Sequence, residues 1–498
     1  MKKDTYQDSV SLMLLSTKLQ KMEGVKRATV MMATEANMAM FAAAGLLTDE
    51  VKAANPTDMA IVVDAADEAT LNGALKATEE FLSGKAAAQA AGGEAFATVR
   101  TQQAGIKSLP GANITLISTP GAFAAAEARK ALDNGLHVFM FSDNVSLEEE
   151  VALKQKAVEK GLLMMGPDCG TAIIKNIPLG FANVIRKGRI GIVGASGTGI
   201  QEVTCLIDRA GEGITHALGT GGRDLSHEVQ ARTARLALGD LMDDPSTEVV
   251  VMISKPPAKE VEELILGDLR KTQKPVVVMF LGSSRVGTEG NITFTNSLQA
   301  CAEAAVALVR GQQPAAAPSA APLPRPVQLA AGQKWVKGLF CGGTLAGEAA
   351  QILNEQLPGE GGKGHFDDGI MFWRIGHQVI DFGDDVYTRG RAHPMIDPRI
   401  RNERLLEAGR DAETAVILMD CVIGFGSNED PAGSVADMVA TLRSEGRQVA
   451  VVASVCGTEG DPQGYTAQHR KLEEAGVLVA SSNAEAASWA AKIVKGEA

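Results

Sequence analysis

A glycine-rich break interrupts the segment GRIGIVGASGTGIQEVTCLI, which begins at Gly188. A short β-branched run precedes the break and an amphipathic stretch follows it, so the pattern predicts a buried strand, a tight turn and the start of a helix. The first N–H groups of a helix have no partner within it and lie at the positive end of its dipole, which stabilises an anion. We therefore expect a phosphate-like group to bind at the break. The residues of this candidate site are Gly194, Ser196, Gly197, Thr198 and Gly199.

The same pattern returns in the segment WVKGLFCGGTLAGEAAQIL, where a short strand precedes Cys341 and an alanine-rich helix follows. Strand–glycine–helix turns are common, and many only let a helix pack closely on a strand. Two such turns in one chain favour the binding interpretation, because two helix ends can contact one charged group from opposite sides. The second candidate site consists of Gly342, Gly343 and Thr344.

Three side chains are candidates for the chemistry at such a site. Lys255, in VMISKPPAKE, supplies a point charge, and Arg223, in GGRD, supplies paired N–H donors that suit a carboxylate or a carbamoyl phosphate. Both could equally face solvent. His393 lies in the loop RGRAHPMIDP, residues 389–398, together with two arginines and an aspartate. A loop with so much charge is typical of a site, although its charges could instead pair with the acids of the preceding DFGDD.

The elements that must position these residues alternate along the chain. Apolar β-branched runs such as MAIVVDA, ITLIST, EVVVMIS and PVVVMFLG are separated by helical periodicity, which is typical of parallel sheets covered by helices. At 498 residues the chain is too long for one core. The segment 311–334 is rich in proline and alanine and predicts an extended linker, and a softer boundary lies near residue 187. We expect an N-terminal region (1–187), a middle α/β domain (188–310) and a C-terminal α/β domain (335–498).

Composition limits the classes of partner. The chain has 60 acidic and 48 basic residues and a formal net charge of -12, and its lysines and arginines are scattered, which disfavours nucleic acid and anionic membranes. The apolar run SVSLMLLSTKL is far shorter than the roughly 20 residues that span a bilayer, and it lacks a cleavage site. Six cysteines without a CxxC pair indicate reduced thiols in a cytoplasmic protein and no structural metal site.

Several polar stretches occur in a distinctive order along the chain, namely FSDNVSLEEE, GPDCGTA, GASGTGIQE, AGEGITHALGTGGRDLS, SKPPA, DFGDDVYT and HPMIDP. Together they resemble the FdrA-like acyl-CoA synthetases, a branch of the succinyl-CoA synthetase α-subunit superfamily, nearly from end to end. The resemblance implies a Rossmann-like CoA-binding region, here degenerate, followed by two flavodoxin-like ligase domains at 188–310 and 335–498. It also implies that the two helix starts contact a shared phosphate site and that companion subunits are involved.

Two loops acquire roles through this resemblance. Gly221-Gly222-Arg223-Asp224 resembles the superfamily's Gly-Gly-Asp loop near the substrate carboxylate, and Gly166-Pro167-Asp168 matches the loop between its CoA-binding and ligase domains. The alternatives are a surface turn at the first loop and a tight Pro-Asp turn at the second. The expected substrate-loop residues are Gly221, Gly222, Asp224 and Asp168.

The chain departs from the superfamily pattern at its phosphohistidine. The superfamily carries a phosphoryl group on a histidine in a Gly-His-Ala-Gly setting, but the matching stretch, residues 282–290, contains no histidine. Lys255 stands near the position of that histidine's acidic partner. Residues 1–100 lack a CoA-binding glycine loop, and the chain has no GxxxxGK[ST] loop. We therefore predict that the relay is lost, that CoA binding rests on the resemblance, and that a nucleoside triphosphate, if used, binds another polypeptide.

Two classes of function follow. The first is an enzyme subunit that handles an acyl phosphate, nominally in forming acyl-CoA from a carboxylate and a nucleoside triphosphate. Within this class, the FdrA-like resemblance also implies carbamoyl transfer between carbamoyl phosphate and an oxalurate- or oxamate-type ureide in allantoin degradation. The second class is a non-catalytic subunit of a homo- or hetero-oligomer that binds an anion or a nucleotide.

Overall fold

The computed structural model describes residues 1–3, 5, 7, 9–34, 37–38, 41–42, 45–84, 99, 101–315, 321–388 and 392–497. The chain divides into two compact units. The smaller unit consists of Met1–Ser108 and Thr388–Ala392, and the larger unit consists of Leu109–Tyr387 and His393–Ala498.

The smaller unit contains a two-stranded antiparallel sheet of β1 (Val25–Met32) and β2 (Met59–Ala65). Helices Ser9–Gln20 and Glu68–Leu82 pack against it around a small core that includes Leu15, Leu19 and Met59. Shorter helices span Asp49–Lys52 and Gln102–Ser108. The Rossmann-like region expected within 1–187 therefore does not begin here, because that fold requires parallel strands joined by crossover helices.

A three-stranded parallel sheet opens the larger unit, with the order β3 (Ile114–Ile117), β4 (His137–Met140) and β5 (Met164–Met165). Helices Gly121–Asp133 and Leu147–Glu159 form its crossovers. The alternation of strand and helix that the sequence predicts for a Rossmann-like region is therefore confined to residues 114–165.

The middle domain is built on an eight-stranded sheet with the order β12-β13-β11-β10-β8-β9-β6-β7. Strands β8, β9, β10, β11 and β13 are parallel, and in chain order they are arranged 2-1-3-4-5, the flavodoxin-like order. The strands are β6 (Thr171–Ile174), β7 (Ile177–Gly180), β8 (Lys187–Gly194), β9 (Ile214–Gly219), β10 (Val249–Ser254), β11 (Val276–Phe280), β12 (Gly287–Glu289) and β13 (Ile292–Thr295). The helices are Gly197–Arg209, Arg232–Asp243, Lys259–Leu269 and Leu298–Val309.

The boundary expected near residue 187 does not coincide with an edge of this sheet. The antiparallel strands β6 and β7 precede that residue, and β6 pairs with β9. The middle domain thus begins at Thr171, since strand pairing joins these residues to its sheet.

The C-terminal domain repeats the arrangement in a seven-stranded sheet with the order β15-β16-β17-β14-β18-β19-β20. Its five parallel strands are again arranged 2-1-3-4-5 in chain order, so both domains have the flavodoxin-like fold predicted from the sequence. The strands are β14 (Trp335–Phe340), β15 (Gly361–Lys363), β16 (Ile370–Arg374), β17 (His377–Asp381), β18 (Thr414–Val422), β19 (Ala450–Cys456) and β20 (Leu478–Ala480). The helices are Gly343–Gln356, Asp385–Thr388, Arg399–Arg410, Pro431–Ser444, Tyr465–Glu474 and Asn483–Lys495, with a 3-10 turn at Asp367–Gly369.

One hydrophobic core runs through both flavodoxin-like domains. It includes Ile200 and Val203 of the middle domain together with Leu345, Ala346 and Ala349 of the C-terminal domain, all of them buried. The near-continuous apolar strands follow from this burial, because a parallel sheet covered on both faces leaves no strand position in water.

The described parts of the linker between these domains are irregular, and Ala321 is hydrogen-bonded to the C-terminal domain. Residues 311–315 and 321–334 contain no helix or strand. The backbone N–H of Ala321 donates to Glu485 (2.7 Å), and its carbonyl accepts from the indole of Trp489 (3.0 Å). The linker therefore lies along the C-terminal domain. Within the part of the chain that the structure describes, no helix combines the length and apolar character needed to cross a membrane.

Candidate active site

Both glycine-rich breaks lie at the switch point of their sheet. In open parallel sheets, ligands bind beyond the carboxyl ends of the strands where the strand order reverses. That point lies between β8 and β10 in the middle domain and between β14 and β18 in the C-terminal domain. β8 ends at Gly194 and β10 is followed by Lys255, while β14 ends at Phe340. The fold thus places three of the predicted elements where a ligand is expected.

The first helix start (residues 194–199) and the second helix start (residues 342–344) touch each other. Ser196 caps the first helix, because its Oγ accepts from the N–H of Gly199 (3.0 Å). The same Oγ shares a short hydrogen bond with the Oγ1 of Thr344, and both residues are buried. A Cβ on Gly342 would lie 2.9 Å from the Cγ2 of Thr198, so only glycine permits this contact.

Free donors remain at both helix starts. The backbone N–H groups of Gly197, Thr198, Gly343 and Thr344 have no acceptor among the residues that the structure describes. These groups lie at the positive ends of two helix dipoles, and Gly197, Thr198 and Gly343 are half-buried. Such an arrangement binds phosphate in many proteins.

Three of the predicted glycines have packing roles instead. Gly342 donates its N–H to the buried carboxylate of Asp420 (2.8 Å), so this donor is already taken. The N–H of Gly199 is capped by Ser196, and a Cβ on Gly194 would lie 2.7 Å from Ile200. The predicted anion-binding set is therefore corrected: Gly194, Gly199 and Gly342 allow close packing and do not supply free donors.

Lys255 lies between two carboxyl groups that come from different domains. Its positive charge lowers the pKa of Asp168, which lies between β5 and β6, and the pKa of Asp381, the last residue of β17. The side chain itself is exposed at the end of β10. The lysine therefore faces the shared edge of the two sheets, as expected of a cation that binds an anion there.

Asp168 occupies a strained turn close to Lys255. Its φ is 55°, a value that few residues other than glycine adopt, and its N–H donates to the carbonyl of Ser142 (2.9 Å). Desolvation by the surrounding loop atoms, followed by the charge of Asp143, raises the pKa of Asp168 to about 6, against the charges of Lys255 and Arg223. Near neutral pH this carboxyl can thus exist in either protonation state.

Asp381 was not predicted from the sequence. Its Oδ1 accepts from the N–H of Gly383 (2.8 Å), and its Oδ2 lies 2.5 Å from where a Cβ on Gly343 would be, directly at the second helix start. Burial raises its pKa to about 7, with added repulsion from Asp420 and Asp384, while the N–H of Gly383 and Lys255 act in the opposite direction. The sequence signal that could have found it is an acidic residue that ends the apolar strand HQVID, two residues before Gly383.

Asp224 has a structural role and not the predicted substrate contact. It is fully buried, and its carboxylate accepts from the Nζ of Lys154 (2.7 Å) and the N–H of Ala234 (2.8 Å). Lys154 also pairs with the buried Glu150 (3.0 Å). Asp224 thus anchors the helix Arg232–Asp243 to the helix Leu147–Glu159, and no carboxylate oxygen is left for a substrate.

Arg223 is held by the same network but remains close to the site. Its Nε donates to Glu150 (2.8 Å) and its NH2 group to the carbonyl of Val145 (2.8 Å). The side chain is 47% exposed, and its charge lowers the pKa of Asp168. Arg223 therefore contributes a fixed positive charge, with two of its donor groups already in use.

The neighbouring glycines hold the two loops together. Gly221 has a φ of 87°, and a Cβ there would lie 2.3 Å from the carbonyl of Pro167. A Cβ on Gly222 would lie 3.6 Å from the Oδ2 of Asp168. These glycines bring the backbone of the 221–222 turn against the 166–168 turn, so the structure places both predicted substrate loops side by side.

His393 is placed beside Asp381 as a neutral ring. Desolvation lowers its pKa to about 4, and its Nδ1 accepts from the N–H of Met395 (3.2 Å), which assigns the proton to Nε2. Its Nε2 and the Oδ1 of Asp381 lie 2.8 and 3.0 Å from the same point beside the Cα of Gly383. His393 is therefore positioned to donate a hydrogen bond, because a general base near neutral pH would need a higher pKa.

The remaining charged residues of this region include Arg389, Arg391 and the acids of the preceding DFGDD. Arg389 and Arg391 lie outside the described residues. Asp384 pairs with His365 (3.0 Å). A polar cavity of about 600 Å³ opens beside this pair, lined also by Asp367 and Asp368.

The loop that would carry the phosphohistidine follows β11. Gly282 begins it with a φ of 82°, and the Nζ of Lys363 lies 3.0 Å from where a Cβ on Gly282 would be. Arg285 lies further along and stacks on the ring of Phe294 (3.9 Å). The structure thus brings a lysine from β15 to this loop, a contact between distant segments that no local sequence pattern could reveal.

Comparison with known proteins identifies the family. The uncharacterised protein YahF of Escherichia coli (strain K12) is 43% identical over 512 residues, covering 100% of this chain and 98% of the relative. The chain belongs to the FdrA-like acyl-CoA synthetase family. Two partial relatives are the sulfoacetate-CoA ligase subunit SauD of Bilophila wadsworthia (29% identity, 37% of this chain, 64% of the relative) and the succinate–CoA ligase α subunit of Aquifex aeolicus (29%, 36% and 62%).

Three family models match separate parts of this FdrA-like chain. They describe the heavy metal-associated domain of AllF at residues 1–98, a CoA binding domain at 185–282 and a CoA-ligase domain at 339–493. The middle match is named for CoA binding, whereas the sequence predicts a ligase domain there and a CoA-binding region before residue 187. Among solved structures, PH0766 of Pyrococcus horikoshii is similar with a TM-score of 0.33 and 15% identity over 78% of this chain and 85% of that chain.

The metal implied by the first model does not fit this chain. Residues 1–98 contain neither cysteine nor histidine, the ligands that soft and borderline metals prefer. Within the described ranges, no group of three or more histidine, cysteine, aspartate or glutamate side chains is arranged to hold a metal ion. The metal-associated domain of this FdrA-like protein is thus kept without a recognisable metal site.

Proposed function

We propose that the chain is the subunit of an acyl-CoA synthetase-like enzyme that binds an acyl phosphate without covalent attachment. The observation that carries this proposal is the contact between the two helix starts, whose free N–H groups lie at the carboxyl edge of the sheets, where Lys255 follows β10. Donors from both dipoles and one fixed cation complement the two negative charges of an acyl phosphate.

The missing histidine defines how the acyl phosphate is handled. Residues 282–290 offer serines and an arginine but no imidazole that could carry a phosphoryl group. An acyl phosphate formed or used here stays a bound small molecule, and phosphate is the leaving group when an acceptor attacks its carbonyl carbon. CoA is one acceptor class, which the CoA-binding and CoA-ligase family models support.

Carbamoyl transfer to an oxalurate- or oxamate-type ureide is the second candidate function. The match of residues 1–98 to a domain named for AllF favours it, as does the FdrA-like membership. In either function we expect companion subunits, because the partial relatives are named as ligase subunits, and we expect any nucleotide to bind one of those subunits.

The test is a substrate screen of the purified chain, alone and with proteins encoded by neighbouring genes. Phosphate release is followed with carbamoyl phosphate or acetyl phosphate as donor and with CoA, oxamate or oxalurate as acceptor. Parallel samples receive labelled nucleoside triphosphate and are analysed for an acid-labile phosphohistidine. Donor turnover without that label supports the proposal. A labelled histidine, or no turnover in any combination, contradicts it and favours a relay enzyme or a non-catalytic subunit respectively.

A further inference from the structure

Asp381 is a buried carboxyl group beside the second helix start. Its Oδ2 approaches the Cα of Gly343, and its Oδ1 is fixed by the N–H of Gly383 at 2.8 Å. The residue is 9% exposed, so its carboxyl group is largely shielded from bulk water. An anion bound at Gly343 and Thr344 would therefore contact this carboxyl.

The groups around Asp381 have opposing effects on the charge of its carboxyl group. Lys255 approaches from the end of β10 and favours the charged carboxylate, whereas Asp420 of β18 and Asp384 of the following turn disfavour it. His393 contributes no charge, and Arg401 is committed to Asp420 and the Sγ of Cys341 (3.0 Å). Burial raises the pKa of Asp381 more than Lys255 and the N–H of Gly383 lower it, so the pKa lies at about 7.

We propose that Asp381 is the proton-transfer residue of this site. The inference rests on the acyl phosphate function proposed above and names the group that moves its protons. The acceptor's N–H, S–H or O–H group attacks the carbonyl carbon, and a bond forms between them as the C–O bond to phosphate breaks. The electron pair of that bond stays on the phosphate oxygen, which takes the proton of Asp381. The acceptor's proton then returns Asp381 to its acid form.

The experiment separates binding from proton transfer. Sulfate serves as the binding probe, because it is a dianion of phosphate geometry that does not itself titrate near neutral pH. Its binding is measured calorimetrically in buffers of different ionisation heat across pH 6 to 8, for wild type, Asp381→Asn and the surface control Glu445→Gln. Glu445 pairs with Arg410 on the outside of the C-terminal domain. Phosphate release from the productive donor and acceptor of the screen is measured in the same proteins.

We expect wild type and Glu445→Gln to take up a proton on binding sulfate, with a midpoint near pH 7. Asp381→Asn should bind sulfate within about tenfold of wild type without that uptake, since its amide oxygen still accepts from Gly383. Its kcat should fall by roughly 10²- to 10⁴-fold with little change in KM, and its pH profile should lose the limb near neutrality.

Three results would overturn the inference. If Asp381→Asn kept the proton uptake, or kept the rate and the pH profile, another group would move the proton while the acyl phosphate function stood. If Asp381→Asn unfolded, the residue would be structural. The same would follow if the variant kept its kcat and lost sulfate affinity equally at every pH. If wild type bound no sulfate and turned over no donor, the proposed function itself would fail and the inference with it.

Discussion

At the scale of single residues, the structure separates charged groups that hold the fold from charged groups that face the site. Asp224 and Lys154 are both completely buried and pair with each other. Breaking a buried ion pair leaves an uncompensated charge, which costs about 3 to 5 kcal/mol. Asp224→Ala should therefore lower the free energy of unfolding by that amount in denaturant titrations. The matched control is Asp268→Ala, whose pairs with Arg235 and Lys271 lie at the surface, and a change below about 1 kcal/mol is expected there.

Asp381 should make stability depend on pH. Its pKa is raised in the folded protein to about 7 from the ordinary value of 3.8, so the folded state binds the proton more tightly than the unfolded state. The contribution of this group is fully present below about pH 4 and is lost as the pH rises through 7. Asp381→Asn removes the titration, so its free energy of unfolding should exceed that of wild type increasingly between pH 4 and 7, by up to about 4 kcal/mol. If the difference in free energy of unfolding between Asp381→Asn and wild type were the same from pH 4 to 7, the pKa of Asp381 would not be raised in the folded protein.

The sequence identifies some of these residues better than others. Lys255 could be predicted because a cation directly after an apolar strand lies at the carboxyl edge of a parallel sheet. Asp224 could not be told apart from a substrate residue, because its partner Lys154 is 70 positions away in the chain and burial depends on that pairing. Asp381 and Lys363 escaped notice since their proximity to the helix starts depends on contacts between distant segments.

At the scale of elements, the two helix starts act as one unit. The Oγ of Ser196 caps its own helix and bonds to Thr344 of the other domain. Ser196→Ala should lower the free energy of unfolding by about 1 to 2 kcal/mol through the lost cap and bond, while phosphate affinity changes less than about tenfold, because the free donors are backbone N–H groups. Thermal unfolding and calorimetry on the same sample test both halves. A large loss of affinity would show that the hydroxyl itself binds the ligand.

The strand and helix pattern was predictable, but strand partners were not. Apolar β-branched runs identify β8, β10, β11 and β18 because a doubly covered sheet demands them. The pairing of β6 with β9 joins residues on either side of the boundary expected at 187, and no local feature of either strand specifies its partner. In the smaller unit, likewise, a run such as MAIVVDA does not reveal whether its neighbour is parallel, and the structure pairs it antiparallel with β1.

At the scale of the whole molecule, the linker should be open to protease cleavage, while the shared core should hold the two flavodoxin-like domains together. Limited proteolysis should cut first within 311–334, because its described parts, residues 311–315 and 321–334, are irregular and mostly exposed. The fragments should nevertheless remain associated in size-exclusion chromatography, since one hydrophobic core contains residues of both flavodoxin-like domains. Separation of the fragments would show that the domains do not share their core in solution. First cutting elsewhere would contradict the expected accessibility of the linker.

The central claim is that the two helix starts and Lys255 bind a phosphate-like group. Calorimetric titration of inorganic phosphate and carbamoyl phosphate into wild type, Lys255→Met, Gly197→Val and the control Lys271→Met tests it most directly. Lys271 lies at the far end of the helix Lys259–Leu269 and pairs with Asp268 at the surface (2.6 Å). Circular dichroism verifies folding, because a Cβ on Gly197 would lie 3.1 Å from the Oγ1 of Thr171.

We expect Lys271→Met to bind as wild type does. Lys255→Met should lose roughly tenfold or more in affinity, as removal of one charge-assisted contact predicts. Gly197→Val should lose more, because the added side chain blocks several N–H donors at once. Equal affinity in all four folded proteins would mean that the glycine-rich breaks only pack helix against strand, and the account of the site would be wrong.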